Sequence, residues 1–112
     1  MQTSNPPQVT VTVDASGTPV CSPDPVRVRG RDALLRFELQ TAGYVFPEDG
    51  AVAVSDPGSQ FPQPSRTLPP HDTTATLLDR NTEAATFKYT VTVKHVASGR
   101  LVPLDPSIVN EL

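Results

Sequence analysis

The chain has 112 residues, with 9 Lys and Arg against 12 Asp and Glu, a formal net charge of −3 and 37% hydrophobic residues. That length suits one domain with a small core, and the weak negative charge argues against a general affinity for nucleic acid or anionic membranes. A single cysteine, Cys21, excludes an intrachain disulfide and a cysteine-based zinc cluster.

The opening QTSNPPQ carries neither a basic region nor an apolar segment, so no signal peptide is expected. No apolar run reaches membrane-spanning length, and the expected location is cytoplasmic. Residues 1–8 read as a flexible polar N-terminal tail, and residues 9–112 as a single β-sandwich domain. Val9, Val11 and Val13 alternate with Thr10 and Thr12, the period-two pattern of a half-buried strand. Asp14 to Thr18 is a turn, and the proline-rich Pro19 to Pro25 reads as a sheet edge or corner.

Val26 and Val28 alternate with Arg27 and Arg29, which predicts a strand with an apolar inner face and a basic outer one. Leu35, Phe37 and Leu39 give the next strand, expected as its hairpin or sandwich neighbour, with Leu34 on the outward phase. Tyr44 to Phe46 and Ala51 to Val54 are short apolar runs. From Asp56 to Asp72 the prolines rule out a helix, and Phe61 and Leu68 are the side chains expected to pin this segment to the core. Thr74 to Leu78 is weakly patterned, and Asp79 to Glu83 is a turn.

The strongest pattern follows. Phe87, Tyr89, Val91 and Val93 alternate with Lys88, Thr90, Thr92 and Lys94, a strand long enough to need others packed against it. Leu101-Val102 is a short return strand. Asp105-Pro106-Ser107 has the form of a helix start, yet too few residues remain for a stable helix, so a single turn or a docked strand through Ile108 competes with it. The sum is an all-β, two-sheet antiparallel sandwich of seven to nine short strands, immunoglobulin-like among its options, with a small closed barrel as the alternative.

Two resemblances attach to particular residues. The spacing Val28-x-Gly30-x-x-x-Leu34-x-x-Phe37, followed late in the chain by Thr86-Phe87-Lys88-Tyr89-Thr90-Val91, resembles the cupredoxin-like sandwich. The ending from Leu104 to Asn110 is similar to that of a small bacterial family named for its Asp-Pro and Glu-Pro dipeptides, the DP-EP family, and brings no catalytic residues with it. Blue-copper proteins close their site with a late Cys-x-x-His-x-x-Met loop. Here Lys94-His95-Val96-Ala97-Ser98-Gly99 supplies neither Cys nor Met, so the resemblance implies the scaffold without the copper ligands.

Residues with chemistry are few. His71 and Asp72, with Cys21, form a conceivable hydrolase or metal-binding set, and His71, His95 and Asp72 a conceivable metal trio, while the competing reading is unrelated residues in local roles. His95 near the end of the main strand reads as a capping or hydrogen-bonded histidine. Glycines occur singly, so no phosphate-cradling loop is present. Arg27, Arg29 and Arg31 make a basic row that is either a solvated strand face or a surface for an anionic partner. The expectation is a non-enzymatic binding or structural-interaction module with no cofactor and no structural or redox metal. Its candidate surface comprises Arg27, Arg29, Arg31, Phe61, Arg66 and His71, and its partner is a protein or a second copy, not nucleic acid or membrane.

Overall fold

The computed structural model describes residues 8–111. Eleven strands and no helix make up this region. They are β1 (Gln8–Val13), β2 (Pro19–Ser22), β3 (Val26–Arg29), β4 (Ala33–Leu39), β5 (Tyr44–Val45), β6 (Val52–Val54), β7 (Arg66–Leu68), β8 (Thr74–Asp79), β9 (Ala85–His95), β10 (Leu101–Leu104) and β11 (Ser107–Glu111). Gln8 opens β1, and residues 1–7 of the expected tail lie outside the described residues.

Two sheets stack as a sandwich. The first runs β2-β1-β4-β8-β7, and the second links β10 to β9, β9 to β11 and β11 to β3, with β5 and β6 also paired to β9. Burial alternates along β1, β4 and β8, so Val9, Val11, Leu35, Phe37, Ala75 and Leu77 enter the core while their neighbours face outward. The second sheet contributes Val26, Val28, Tyr89, Val91, Val93 and Ile108. Across the interface the rings of Phe37 and Tyr89 meet edge to face, with centroids 5.7 Å apart, a favoured aromatic geometry. Phe87 is only half-buried at the margin of this core.

Strand β9 holds the second sheet together because both of its edges are used. Leu104 lies opposite Val91 and Ser107 opposite Lys88, so β10 and β11 follow one register and form one edge interrupted at Asp105-Pro106. Val52 on β6 and Tyr44 on β5 pair along the other edge, opposite Val91 and His95. The C-terminal segment is therefore a strand and not a helical turn. Asp105 accepts from Thr90 Oγ1 at 2.8 Å, and Tyr89 N donates to the Pro106 carbonyl at 3.0 Å, which aligns Ile108 and Asn110 with the core.

The sheets are mixed rather than purely antiparallel, because β1 pairs with β4, and β11 with β3, in parallel. The proline corner after β2 explains this. It carries the chain from the first sheet to the second, so β3 and β4 lie in different sheets and do not form a hairpin. Asp24 in that corner accepts the backbone N–H of Ser107 at 3.0 Å, fastening the corner to the start of β11.

Candidate functional site

Residues 55–65, between β6 and β7, form the longest stretch without a strand. Pro57, Pro62 and Pro64 keep it out of helix. Phe61 anchors it, buried against Phe87 with ring centroids 5.1 Å apart, and Ser65 Oγ accepts the backbone N–H of Val52 at 3.0 Å. Between this segment and β6 lies a groove of about 280 Å³. Val52, Val54, Phe61 and Leu77 line it together with Pro62 and Pro64, and no charged side chain takes part.

On the far side of Gln63–Ser65 a second concave area of about 500 Å³ opens on the outer face of the first sheet. Leu34 and Leu78, paired across β4 and β8, line it with Thr76 and Arg66. Leu34 is 48% exposed, a large apolar side chain facing water beside a rigid proline segment. Arg66 makes no ion pair among the described residues. Phe61 and Arg66 thus flank the same ridge.

The other sequence-predicted residues lie elsewhere. Arg27 and Arg29 are exposed on the outer face of the second sheet, where Glu111 on β11 bridges them: Arg27 Nη1 at 2.9 Å and Arg29 Nε at 2.8 Å. Hydrogen bonds from Arg29 and then Arg27 hold the Glu111 carboxyl below its ordinary range. Part of the basic row is therefore neutralised within the fold. Arg31 is exposed in the turn after β3, and His71 is exposed in the turn after β7.

Cys21 lies on β2 and His71-Asp72 follow β7, at opposite edges of the first sheet. Four strand spacings of about 4.8 Å separate those edges, so the three residues do not converge. The Cys21 thiol is buried, and burial, aided by the charge of Asp24, pushes its pKa up to about 12. A thiol held protonated is a poor nucleophile and a poor ligand. The His95 ring lies tilted at 47° against Tyr44 with centroids 5.0 Å apart, and its Nδ1 lies 2.8 Å from Ser98 Oγ. Among the described residues no three His, Cys, Asp or Glu side chains are grouped as metal ligands.

A buried polar cluster lies beyond what the sequence suggested. Gln60, Asp79, Asn81 and Asn110 are all within 3% of full burial. Asp79 Oδ1 accepts from Asn81 N and from Asn110 Nδ2, both at 3.0 Å. Gln60 exchanges bonds with Thr82, donating from Nε2 to Oγ1 at 2.9 Å and accepting the backbone N–H at 2.8 Å. Asn81 Nδ2 reaches the carbonyls of Val28, Gly30 and Glu111 at 3.0–3.2 Å, tying the ends of β3 and β11 to the turn after β8. The Asp79-Arg80-Asn81 turn signal was visible in sequence, and Asn81 adopts the left-handed conformation asparagine tolerates (φ 49°). Nothing local to it foretold burial. No protein-family model matches the chain and no curated protein matches it.

Proposed function

We propose that this domain is a non-enzymatic binding module that grips a partner protein at the ridge formed by residues 61–66. The observation that carries this reading is the uncharged groove beside Phe61, separated by the Gln63–Ser65 ridge from the concave area around Leu34, Leu78 and Arg66. Interfaces place one or two apolar anchors in such dry pockets and surround them with polar contacts. A groove of about 280 Å³ accommodates an aliphatic or aromatic anchor side chain, and Arg66 in the concave area across the ridge suits a neighbouring carboxylate on the partner. The parallel pairings β1–β4 and β11–β3 support the cupredoxin-like version of the sandwich as the scaffold. The alternative enzyme set of His71, Asp72 and Cys21 is disfavoured by its distribution over opposite sheet edges.

The test is nuclear magnetic resonance titration of isotope-labelled protein with capped tetrapeptides that place Leu or Phe beside Glu, against the same peptides with Lys. Saturable shifts confined to residues 50–54 and 61–66, stronger for the Glu series, are expected. Ala53→Arg, at an exposed groove position, should abolish them, and Arg66→Glu should reverse the preference towards Lys. Shifts scattered over the surface, or unaffected by either substitution, would overturn the reading.

A further inference from the structure

A strand at the edge of a sheet leaves alternate backbone groups pointing away from its ladder, and a folded chain blunts such an edge or uses it. Most edges here are blunted. β2 carries Pro19, β10 carries Pro103, β3 carries Arg27 and Arg29, β7 carries Arg66, and β5 is only two residues long. β6 is different: Val52, Ala53 and Val54 include neither a proline nor a charge. This strand forms one wall of the groove beside Phe61.

The direction of each backbone group on β6 follows from its pairing with β9. Thr92 N donates to the Ala51 carbonyl at 2.8 Å, and Ser55 N donates to the Lys88 carbonyl at 2.9 Å. Residues 51 and 55 therefore turn their groups toward β9, and so does Ala53, which lies between them in the same register opposite Thr90. Val52 and Val54 turn theirs to the free edge. Val52 shows it directly, since its N–H is taken by Ser65 Oγ at 3.0 Å. Ser65 itself lines the groove, so these groups face the groove side. The Val54 N–H and the carbonyls of Val52 and Val54 meet no hydrogen-bond partner among the described residues.

We infer that the partner taken at this groove is an extended peptide segment that adds to β6 as an antiparallel strand, one of its residues exchanging both backbone hydrogen bonds with Val54. This rests on the reading of the Phe61 ridge as a binding surface and specifies how that surface binds. In an antiparallel ladder one residue satisfies both free groups of the residue opposite, and the two side chains lie on the same face. Val52 is buried and Ala53 exposed, so Val54 shares the inward face with Val52. The opposed residue then turns its side chain inward too, toward Phe61 and Leu77 in the groove, where an aliphatic group leaves water for apolar carbon. Its neighbours in the segment face solvent beside Ala53, so the recognised pattern is polar, apolar, polar. Ser65 already holds the Val52 N–H. What remains is a short ladder, enough for a linear segment and too little for a continuous sheet between two copies of this chain.

A capped tetrapeptide with Leu beside Glu, and two derivatives of it N-methylated at Leu or at Glu, test this on the wild-type chain. Methylation at Leu removes the N–H that the Val54 carbonyl would accept and should weaken binding about tenfold. The Glu N–H points away from β6 in this register, so its methylation should leave the affinity within about twofold. Exchange of the Val54 amide proton with solvent should slow as the parent peptide saturates the protein. Groove shifts that are equal for both derivatives, with Val54 exchange unchanged, would overturn strand addition and leave the groove as a binding surface. Weakening by methylation at Glu alone would overturn the register. The absence of saturable shifts with all three peptides would overturn both readings. A Val54 amide that exchanges slowly in the peptide-free protein would show the edge already filled by this chain or by a second copy, and would overturn the inference as well.

Discussion

Asp79 and Glu111 show how the same functional group takes opposite character a few residues apart in space. Burial raises the Asp79 pKa against two opposing hydrogen bonds, from Asn110 and from the Asn81 backbone. Arginine hydrogen bonds lower that of Glu111, and hydrogen bonds from Ser16 and Thr18 lower that of Asp14. Below the unfolded carboxylate value of about 3.9, Asp79 is protonated in both states and its full contribution is present. As pH rises from there to its higher folded value, the unfolded chain releases the proton first, and stability falls by about 1.4 kcal/mol per pH unit before levelling off. Asp14 and Glu111 act in the other direction, adding stability above their own unfolded values and losing it as pH falls through their lower folded values. Urea unfolding across acidic pH should therefore show a maximum near the ordinary carboxylate range. In Asp79→Asn the decline on the alkaline side should vanish, and an unchanged profile in that variant would show that another group titrates there.

At the scale of the strand, β9 rewards its alternation unevenly. Tyr89, Val91 and Val93 are within 1% of full burial, while Phe87 is half-buried and leans on Phe61. Truncation of a fully enclosed aromatic costs about 3–5 kcal/mol, which is the expected loss for Phe37→Ala, since Phe37 is 0% exposed. Phe87→Ala should cost distinctly less, about 2 kcal/mol, because part of its surface is already in water. Its loss also frees Phe61, so the amide signals of residues 57–65 should shift far more than those of β4. Equal losses in chemical denaturation for the two variants would contradict the partial burial of Phe87.

For the molecule as a whole, the last strand closes the second sheet. β11 lies between β9 and β3, carries the buried Ile108 and Asn110, and receives the proline corner through Asp24 and Ser107. Deleting residues 107–112 would leave β3 without its only ladder among the described residues and strip part of one edge of β9. Calorimetry of that truncated chain is expected to show no cooperative transition, and a transition with most of the wild-type enthalpy would show that β11 is dispensable. Free energy in a domain of this size is a small residue of large opposing terms, so one internal strand exceeds the margin.

The faces of the strands were legible in the residues themselves. Val9-Thr10-Val11, Leu35-Arg36-Phe37 and Tyr89-Thr90-Val91 each announce which side is buried, because a pleated backbone alternates its side chains regardless of what lies beyond. The all-β class, the turn at Asp14 to Thr18 and the pinning role of Phe61 follow from equally local chemistry. Choice of neighbours does not. Backbone hydrogen bonds are the same for every residue but proline, so nothing in β1 specifies a parallel partnership with β4, or in the last residues a place between β9 and β3. Those pairings were decided by the packing of two apolar faces and by where the Ser22–Pro25 corner sends the chain. The same holds for the cluster around Asp79: three polar residues in sequence look destined for water, and only the closing of β3, β8 and β11 around them turned their oxygens inward.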